Sequence, residues 1–247
     1  MISCRCVFAI AAVTLAISPA RAQQGNIQGV RFYTIKPDRV ADFLAATKEV
    51  SALQTKAGSE RYYSVWHSLS GANEYVRVDF YTKWADLGQG PDPKMKDLAT
   101  DLLRITTRIA QCEESTHRII DEVLPEYSLP PAGEVPKMIR VLRTKVRPEK
   151  LNEYLALAKS EILPAIKKSG AKFYNVSQVR YGESVAELVS VTGFNSWADL
   201  DGGLGVQKGL GEEGYQRFLA KLRPLIVDSQ FDIYSLVTDS SHLPPAR

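Results

Sequence analysis

The sequence is short of the residue types on which most metal sites and hydrolase motifs depend. Its 247 residues include three histidines and three cysteines, and their spacing matches no zinc or iron site. Charge is nearly balanced, with 31 Lys and Arg against 28 Asp and Glu, so no nucleic-acid partner is expected. No G-x-S-x-G motif occurs, and the glycine-rich stretch 202–211 lacks a phosphate-loop ending. We interpret that stretch as a mobile lid or a simple connector.

Long hydrophobic runs are also missing. The apolar run at 7–17 has 11 residues, whereas a membrane-spanning helix needs about 20. It follows one positive charge, Arg5, and precedes Ala20-Arg21-Ala22, which is the pattern of a secretory signal peptide. We therefore predict cleavage after Ala22, a periplasmic or secreted protein, and no stable membrane anchor.

Removal of that segment leaves a single cysteine. Cys4 and Cys6 are lost with it and Cys112 remains, so no disulfide can form within the chain. A hydrophobic core must then hold the fold, which a chain of this length can supply. We expect Cys112 to be a buried structural residue.

Two parts of the chain resemble each other. Trp84-Ala85-Asp86-Leu87 recurs as Trp197-Ala198-Asp199-Leu200, 113 residues later, and further apolar matches keep the same order. A proline-containing stretch, 128–133, lies between them. The repeat predicts four segments: a signal peptide at 1–22, a first unit at 23–128, a linker at 129–136, and a second unit with a polar tail at 137–247.

Hydrophobic periodicity predicts the same elements, in the order β-α-β-β-α-β, in each unit. The predicted strands are 29–36, 61–68, 74–82, 116–124, 137–146, 172–181, 185–194 and 229–237. The predicted helices are 37–58, a stripe over 95–109, 148–168, and about 212–225, with a break at Pro164. This order is the ferredoxin-like unit, which makes the fold class α+β.

The repeated tryptophans follow the third strand of each unit. Ser196 is placed to cap the next helical turn, with Asp199 three residues later. We expect Trp84 and Trp197 to pack under this corner, because tryptophan is usually largely buried.

Each unit has the order β-α-β-β-α-β and a tryptophan just after its third strand. With these two features the chain resembles the dimeric α+β barrel superfamily, which includes antibiotic-biosynthesis-monooxygenase-like, NIPSNAP-like and EthD-like domains. The resemblance implies that the tandem units pair their sheets into one barrel within the chain. It also implies a small-molecule activity, such as cofactor-free oxygenation, lactone isomerisation, dehydration or haem chemistry, among which the fold does not choose. No histidine falls on the helix stripes, so we expect neither haem nor another cofactor.

The third strand of the first unit alternates sharply. Val76, Val78 and Phe80 form one face, which we expect to meet the helices. The other face, expected to point into the barrel, carries two tyrosines and a charged pair: Tyr75, Arg77, Asp79 and Tyr81. This predicts a polar pocket in the first half.

His67 is the best candidate for proton transfer, since histidine titrates near neutral pH and His242 falls in the polar tail, where we expect solvent. We predict His67 as the acid or base, with Arg77 or Asp79 orienting it. The predicted substrate contacts are Tyr33, Tyr63, Tyr75 and Tyr81. Three hypotheses stay open: an enzyme acting on a small apolar or aromatic compound, a non-catalytic ligand-binding protein, and a packed interaction module. The sequence also leaves open whether copies of the chain associate.

Overall fold

The fold is a closed β-barrel with helices packed outside it. The computed structural model describes residues 25–129, 135–201, 203 and 205–245. The predicted signal peptide and most of the predicted linker lie outside the described residues. Within the described ranges, no helix has both the length and the apolar character needed to cross a lipid bilayer.

Each half of the chain follows the order β-α-β-β-α-β. The strands are β1 Ile27–Ile35, β2 Tyr63–Ser68, β3 Glu74–Tyr81, β4 Glu113–Val123, β5 Met138–Val146, β6 Tyr174–Tyr181, β7 Glu187–Phe194 and β8 Ile226–Leu236. The helices are α1 Val40–Ala57, α2 Ala99–Cys112, α3 Leu151–Leu157, α4 Leu163–Lys168 and α5 Gly205–Leu222. The predicted α+β class with an intrachain barrel is confirmed.

The barrel closes through two seams between the half-sheets. Its strand order is β1-β3-β2-β8-β5-β7-β6-β4, and β4 returns to β1. One seam pairs β2 with β8, with Trp66 opposite Leu236, and the other pairs β4 with β6, with Asp121 opposite Val179. Both seams are short: β4 pairs with β6 only from Ile120 onward, and β8 pairs with β2 only from Tyr234 onward.

The apolar face of the third strand points into the barrel, not toward the helices. Val76 packs in a core cluster with residues of both halves, including Phe32 and Val189. Tyr75 packs instead against Phe43 of α1. The predicted facing of this strand is therefore wrong. Most side chains inside the barrel are apolar because few polar groups find partners there, whereas Arg77 and Asp79 on the helix-facing side stay partly exposed.

The first helix begins and ends as predicted. Pro37 opens a helical turn before α1, and Gly58 ends α1 in the left-handed conformation, with a φ of 64°. The helix of the second half is interrupted as predicted near Pro164. A π-helical turn, Ala158–Ile162, separates α3 from α4.

The glycine-rich stretch serves close helix packing. Helical structure begins at Gly205, earlier than predicted, and breaks at Gly211, where φ is 71°. A Cβ on Gly209 would lie 2.0 Å from the carbonyl oxygen of Ala165, so glycine permits α5 to touch α4. For residues 205–211 the interpretation as a lid or a simple connector is therefore wrong; residues 202 and 204 lie outside the described residues.

Two local expectations fail at the surface. Trp84 and Trp197 retain 41% and 55% exposure, so neither packs under its corner, although Ser196 and Asp199 form the predicted cap. His242 is buried and not solvated, because its Nε2 lies 3.0 Å from the carbonyl oxygen of Ser59. The segment after β8 thus lies on the first half. Cys112 is buried as predicted.

Candidate functional site

Several of the predicted site residues meet on the helix-facing side of the first half. Arg77 donates from Nη2 to Asp79 at 2.7 Å, and from Nε to both carboxylate oxygens at 3.0 and 3.2 Å. Its guanidinium carbon lies 3.6 Å from the centroid of the Tyr63 ring. Each charged side chain of the pair is 26% exposed. Both oxygens of Asp79 therefore accept hydrogen bonds from Arg77.

A small pocket adjoins this pair. It has a volume of about 20 Å³, and Tyr33, Tyr63 and Arg77 line it together with α1. The Tyr63 hydroxyl is buried without a hydrogen-bond partner among the described residues, and burial raises the pKa of Tyr63 to about 12. Burial also raises the pKa of Tyr33. A pocket of this size holds about one water molecule.

The other predicted site residues lie apart from that pocket. His67 Nε2 lies 3.2 Å from Asn73 Oδ1, and its ring stacks on Tyr75 at 4.6 Å. The Tyr81 hydroxyl lies 3.3 Å from an Arg118 nitrogen. His67 lines neither this pocket nor the barrel cavity. The catalytic roles of His67, Arg77 and Asp79, and the substrate-binding roles of the four tyrosines, stay predictions.

The larger cavity lies inside the barrel, between the two half-sheets. Its volume is about 70 Å³, enough for a few water molecules but smaller than the roughly 150 Å³ cavity that takes up benzene. Most of its lining is aliphatic or aromatic: Val30, Phe32, Trp66, Val76, Val78, Ile119, Ile139, Val141, Val189, Val191 and Tyr234. Such a lining favours a small, largely apolar guest.

One carboxyl group enters this apolar lining. Asp121, on β4, is 2% exposed. Its Oδ2 accepts a hydrogen bond from Ser177 Oγ at 2.7 Å, and its Oδ1 has no partner among the described residues. Burial raises the pKa of Asp121 to about 7, against the lowering effects of Ser177 and Arg143. The carboxyl group can therefore bind and release a proton near neutral pH.

Further polar groups lie at the margins of the cavity. Arg143 lines it and donates from Nε to Glu187 at 2.8 Å. Tyr234 donates its hydroxyl to Glu74, also at 2.8 Å, which joins the second half to the first. Gln28 also lines the cavity. Unlike the paired Arg143 and Tyr234, Asp121 keeps one oxygen without a hydrogen-bond partner among the described residues.

Sequence reasoning missed Asp121, although a signal was present. Along β4, Asp121 lies on the same face as Ile119, which is buried in the barrel. An acidic residue on the apolar face of a strand is unusual and indicates either a buried pair or a functional group. Ile120, on the opposite face, is apolar as well, so the segment does not show a regular alternation of apolar and polar residues.

Haem does not fit the described residues. Neither cavity contains a histidine, and both are far smaller than a porphyrin. His117 is exposed and stacks on Phe32 at 4.4 Å, while His242 is held by the Ser59 carbonyl. No cluster of three or more metal-ligating side chains occurs among the residues that the structure describes.

The similarity found for this chain is to solved structures. No protein-family model matches the sequence, and no curated protein matches it significantly. Two similar structures bear the name "putative monooxygenase". The one from Fusobacterium nucleatum subsp. nucleatum has a TM-score of 0.60 and 11% identity over 86% of this chain and 92% of its own. The one from Lactobacillus acidophilus has a TM-score of 0.59 and 9% identity over 87% and 97%.

A third similar structure is an anthrone oxidase-like protein. It has a TM-score of 0.58 and 14% identity over 92% of this chain and 98% of its own. At these identities the likeness shows the fold alone: a ferredoxin-like α+β barrel that spans nearly the whole length of each relative.

Proposed function

We propose that the protein is a small-molecule enzyme whose barrel cavity performs proton transfer, with Asp121 as the base. The observation that carries this proposal is the carboxyl group of Asp121, which is buried in an apolar cavity with one oxygen held by Ser177 and the other free. A base with a pKa near the working pH is effective in both directions of proton transfer.

The reaction class follows from the cavity. The free Oδ1 would remove a proton from a weakly acidic C–H bond of a small apolar compound. Return of that proton to a neighbouring carbon gives an isomerisation. Alternatively, the carbanion is oxidised by molecular oxygen: a C–O bond forms, the oxygen is reduced to the peroxide level, and the proton held by Asp121 returns to give a hydroperoxide. Loss of water from a hydroperoxide that keeps a hydrogen on the same carbon then gives a carbonyl product, which is a cofactor-free oxygenation. The names of the similar structures support oxygenation. The geometry at Asp121 supports proton removal, which is the first step of both reactions.

Arg143 would assist by its charge. Its guanidinium lies at the cavity margin, and it already lowers the pKa of Asp121. Negative charge that develops on the substrate would be stabilised by the same group in a site without water. Ser177 is a positioning residue, because it fixes one carboxylate oxygen and leaves the other toward the cavity.

The test measures two quantities: the titration of the Asp121 carboxyl group, and proton transfer between that group and a small substrate. Infrared difference spectra between pH 5 and pH 9 should show a carboxyl group with a midpoint near 7 that Asp121→Asn removes. In D2O, deuterium uptake into small ketones such as acetone and 2-butanone should rise with pH through this midpoint, and Asp121→Asn should abolish it. Ser177→Ala should move the midpoint to higher pH, since it removes a hydrogen bond that stabilises the ionised form.

Two results would contradict the proposal. A midpoint near 4 would mean that water reaches Asp121 in solution. Ketones that shift the NMR signals of cavity methyl groups without exchanging deuterium would favour a non-catalytic binding protein. Glu60→Gln is the matched control, because it removes a carboxylate charge from a side chain that is 77% exposed.

We also propose that the chain is exported and cleaved after Ala22. The support is the charge, apolar run and Ala-x-Ala order of the N-terminal segment. Intact mass and N-terminal sequencing of protein from the periplasm should give Gln23 as the first residue. Retention of Met1 would contradict this proposal and leave the enzyme proposal untouched.

A further inference from the structure

The second half buries an arginine without a counter-ion. Arg140, on β5, is 9% exposed. Its Nη1 is buried and has no hydrogen-bond partner in the part of the chain that the structure describes. None of the salt bridges among the described residues includes Arg140. A guanidinium group stays charged in proteins, so this arrangement leaves a positive charge uncompensated inside the fold.

Arg140 belongs to the helix-facing side of its sheet, apart from the barrel cavity. Its neighbours Ile139 and Val141 line the cavity, so the side chain between them projects from the opposite face. Across the sheet, Arg140 lies opposite Thr192 on β7 and opposite Ile233 on β8.

The groups around Arg140 are neutral hydrogen-bonding or aromatic side chains. Tyr174 lies opposite Thr192 in the same row, and Tyr215 of α5 is close enough to act on Arg140 electrostatically. Burial raises the pKa of Tyr174, which keeps its hydroxyl neutral. The guanidinium carbon lies 5.0 Å from the centroid of the Phe231 ring, and Phe231 is 49% exposed. The arginine therefore has a flat apolar surface beside it that reaches solvent.

We propose that Arg140 binds the carboxylate of a small aromatic or apolar monoanion on the outer face of the second half-sheet. One positive charge balances one negative charge, and the planar guanidinium matches a carboxylate through two parallel hydrogen bonds. The exposed ring of Phe231 would contact the apolar body of the ligand. The site lacks the second cation that a phosphate dianion would call for.

Benzoate is the probe, and its neutral analogue benzamide is the control. Calorimetric titration of the full chain should show benzoate binding, with no comparable binding of benzamide or inorganic phosphate. Arg140→Gln should weaken benzoate binding about tenfold or more. Arg217→Gln removes the same charge from an exposed position on α5, where the side chain is 72% exposed, and should leave the affinity unchanged.

A second measurement needs no ligand. Replacing an uncompensated buried charge by an apolar side chain of similar size is often neutral or stabilising. The melting temperature of Arg140→Met should therefore equal or exceed that of the wild type, while benzoate no longer raises it. Asp121→Asn should still bind benzoate, which separates this site from the proposed reaction in the barrel.

Three outcomes would overturn the assignment. The first is a clear fall in the melting temperature of Arg140→Met, which would show that Arg140 supports the fold. The second is phosphate binding that depends on Arg140 without benzoate binding. The third is the absence of any benzoate binding to the wild type at millimolar concentration.

Discussion

The two halves of the barrel each place an arginine on the helix-facing side of their sheet, and they treat its charge differently. In the first half, Arg77 is held by Asp79 through two nitrogens and lies over the Tyr63 ring. In the second half, Arg140 has a buried nitrogen without a partner. The halves share one architecture, so the fold does not determine where polar groups are left unsatisfied.

This difference separates structural charge from charge available for binding. In the pair of Arg77 and Asp79 each charge is compensated by its partner, so neither charge calls for a ligand. Arg140 and the free oxygen of Asp121 retain theirs in surroundings where an unmet polar group is costly. A buried polar group without a partner calls for an explanation, and ligand binding is the explanation that we propose for Asp121 and Arg140.

The largest expected effect comes from removing the charge of Asp121. Its pKa is about 7 in the folded protein and 3.8 as a free side chain. The folded state therefore binds the proton more tightly, and this contribution to stability is complete below about pH 4 and is lost as the pH rises through 7. At pH 8, Asp121→Asn should raise the free energy of unfolding by at most about 4 kcal/mol.

Urea unfolding of both proteins at pH 5 and pH 8 measures this effect. The gain should be largest at pH 8 and less than half as large at pH 5, where Asp121 is protonated in the folded chain but ionised in the unfolded one. An equal change at both pH values would show that packing, and not the charge, is responsible. In that case Asp121 would no longer be an example of a buried charge that lacks a partner.

The next effect breaks the saturated pair of the first half. Asp79→Asn keeps the shape of the side chain but leaves Arg77 without a counter-ion. Removing one partner of a fully buried pair costs about 3–5 kcal/mol, and the 26% exposure of both side chains lowers the expected loss. We expect a loss of about 2 kcal/mol, measured by urea unfolding at pH 7.

The matched change is made on an exposed pair. Glu60 accepts from Lys94 at 2.9 Å with 77% exposure of its side chain, and Glu60→Gln should change stability by less than about 0.5 kcal/mol. The double variant Arg77→Met with Asp79→Asn should recover part of the loss. An Asp79→Asn protein as stable as the wild type would show that Arg77 does not depend on its counter-ion. Arg77 and Arg140 would then not differ in this respect.

Much of the fold could be predicted because its signals are local. Helix ends at Pro37 and Gly58, the break near Pro164 and the cap at Ser196 each depend on a few neighbouring residues. The strands could be found from alternation. The closed barrel followed only from the resemblance, because pairings such as Trp66 with Leu236 join residues far apart in the chain.

The candidate site could not be predicted in the same way. A strand alternates identically whichever of its faces points inward, so the pattern at Val76 and Arg77 could not decide its own orientation. Asp121 and Arg140 became conspicuous only through the partners that they lack. The missing partner of a buried group is a property of three-dimensional packing and leaves little trace in one sequence.

The smallest expected effect concerns the one unsatisfied group of the first-half pocket. The Tyr63 hydroxyl is buried without a partner, so Tyr63→Phe removes an unmet polar atom and keeps the ring that lies under Arg77. The free energy of unfolding should rise by up to about 1 kcal/mol, since relief of the desolvation cost exceeds the loss of a few packing contacts. Tyr234→Phe is the contrasting variant, because the Tyr234 hydroxyl donates to Glu74 at 2.8 Å. It should lower the free energy of unfolding by about 1–2 kcal/mol, because Glu74 then loses its donor. Urea unfolding at pH 7 compares the two variants. If Tyr63→Phe were the more destabilising, the Tyr63 hydroxyl would have a hydrogen-bond partner in solution, as Arg77 has in Asp79.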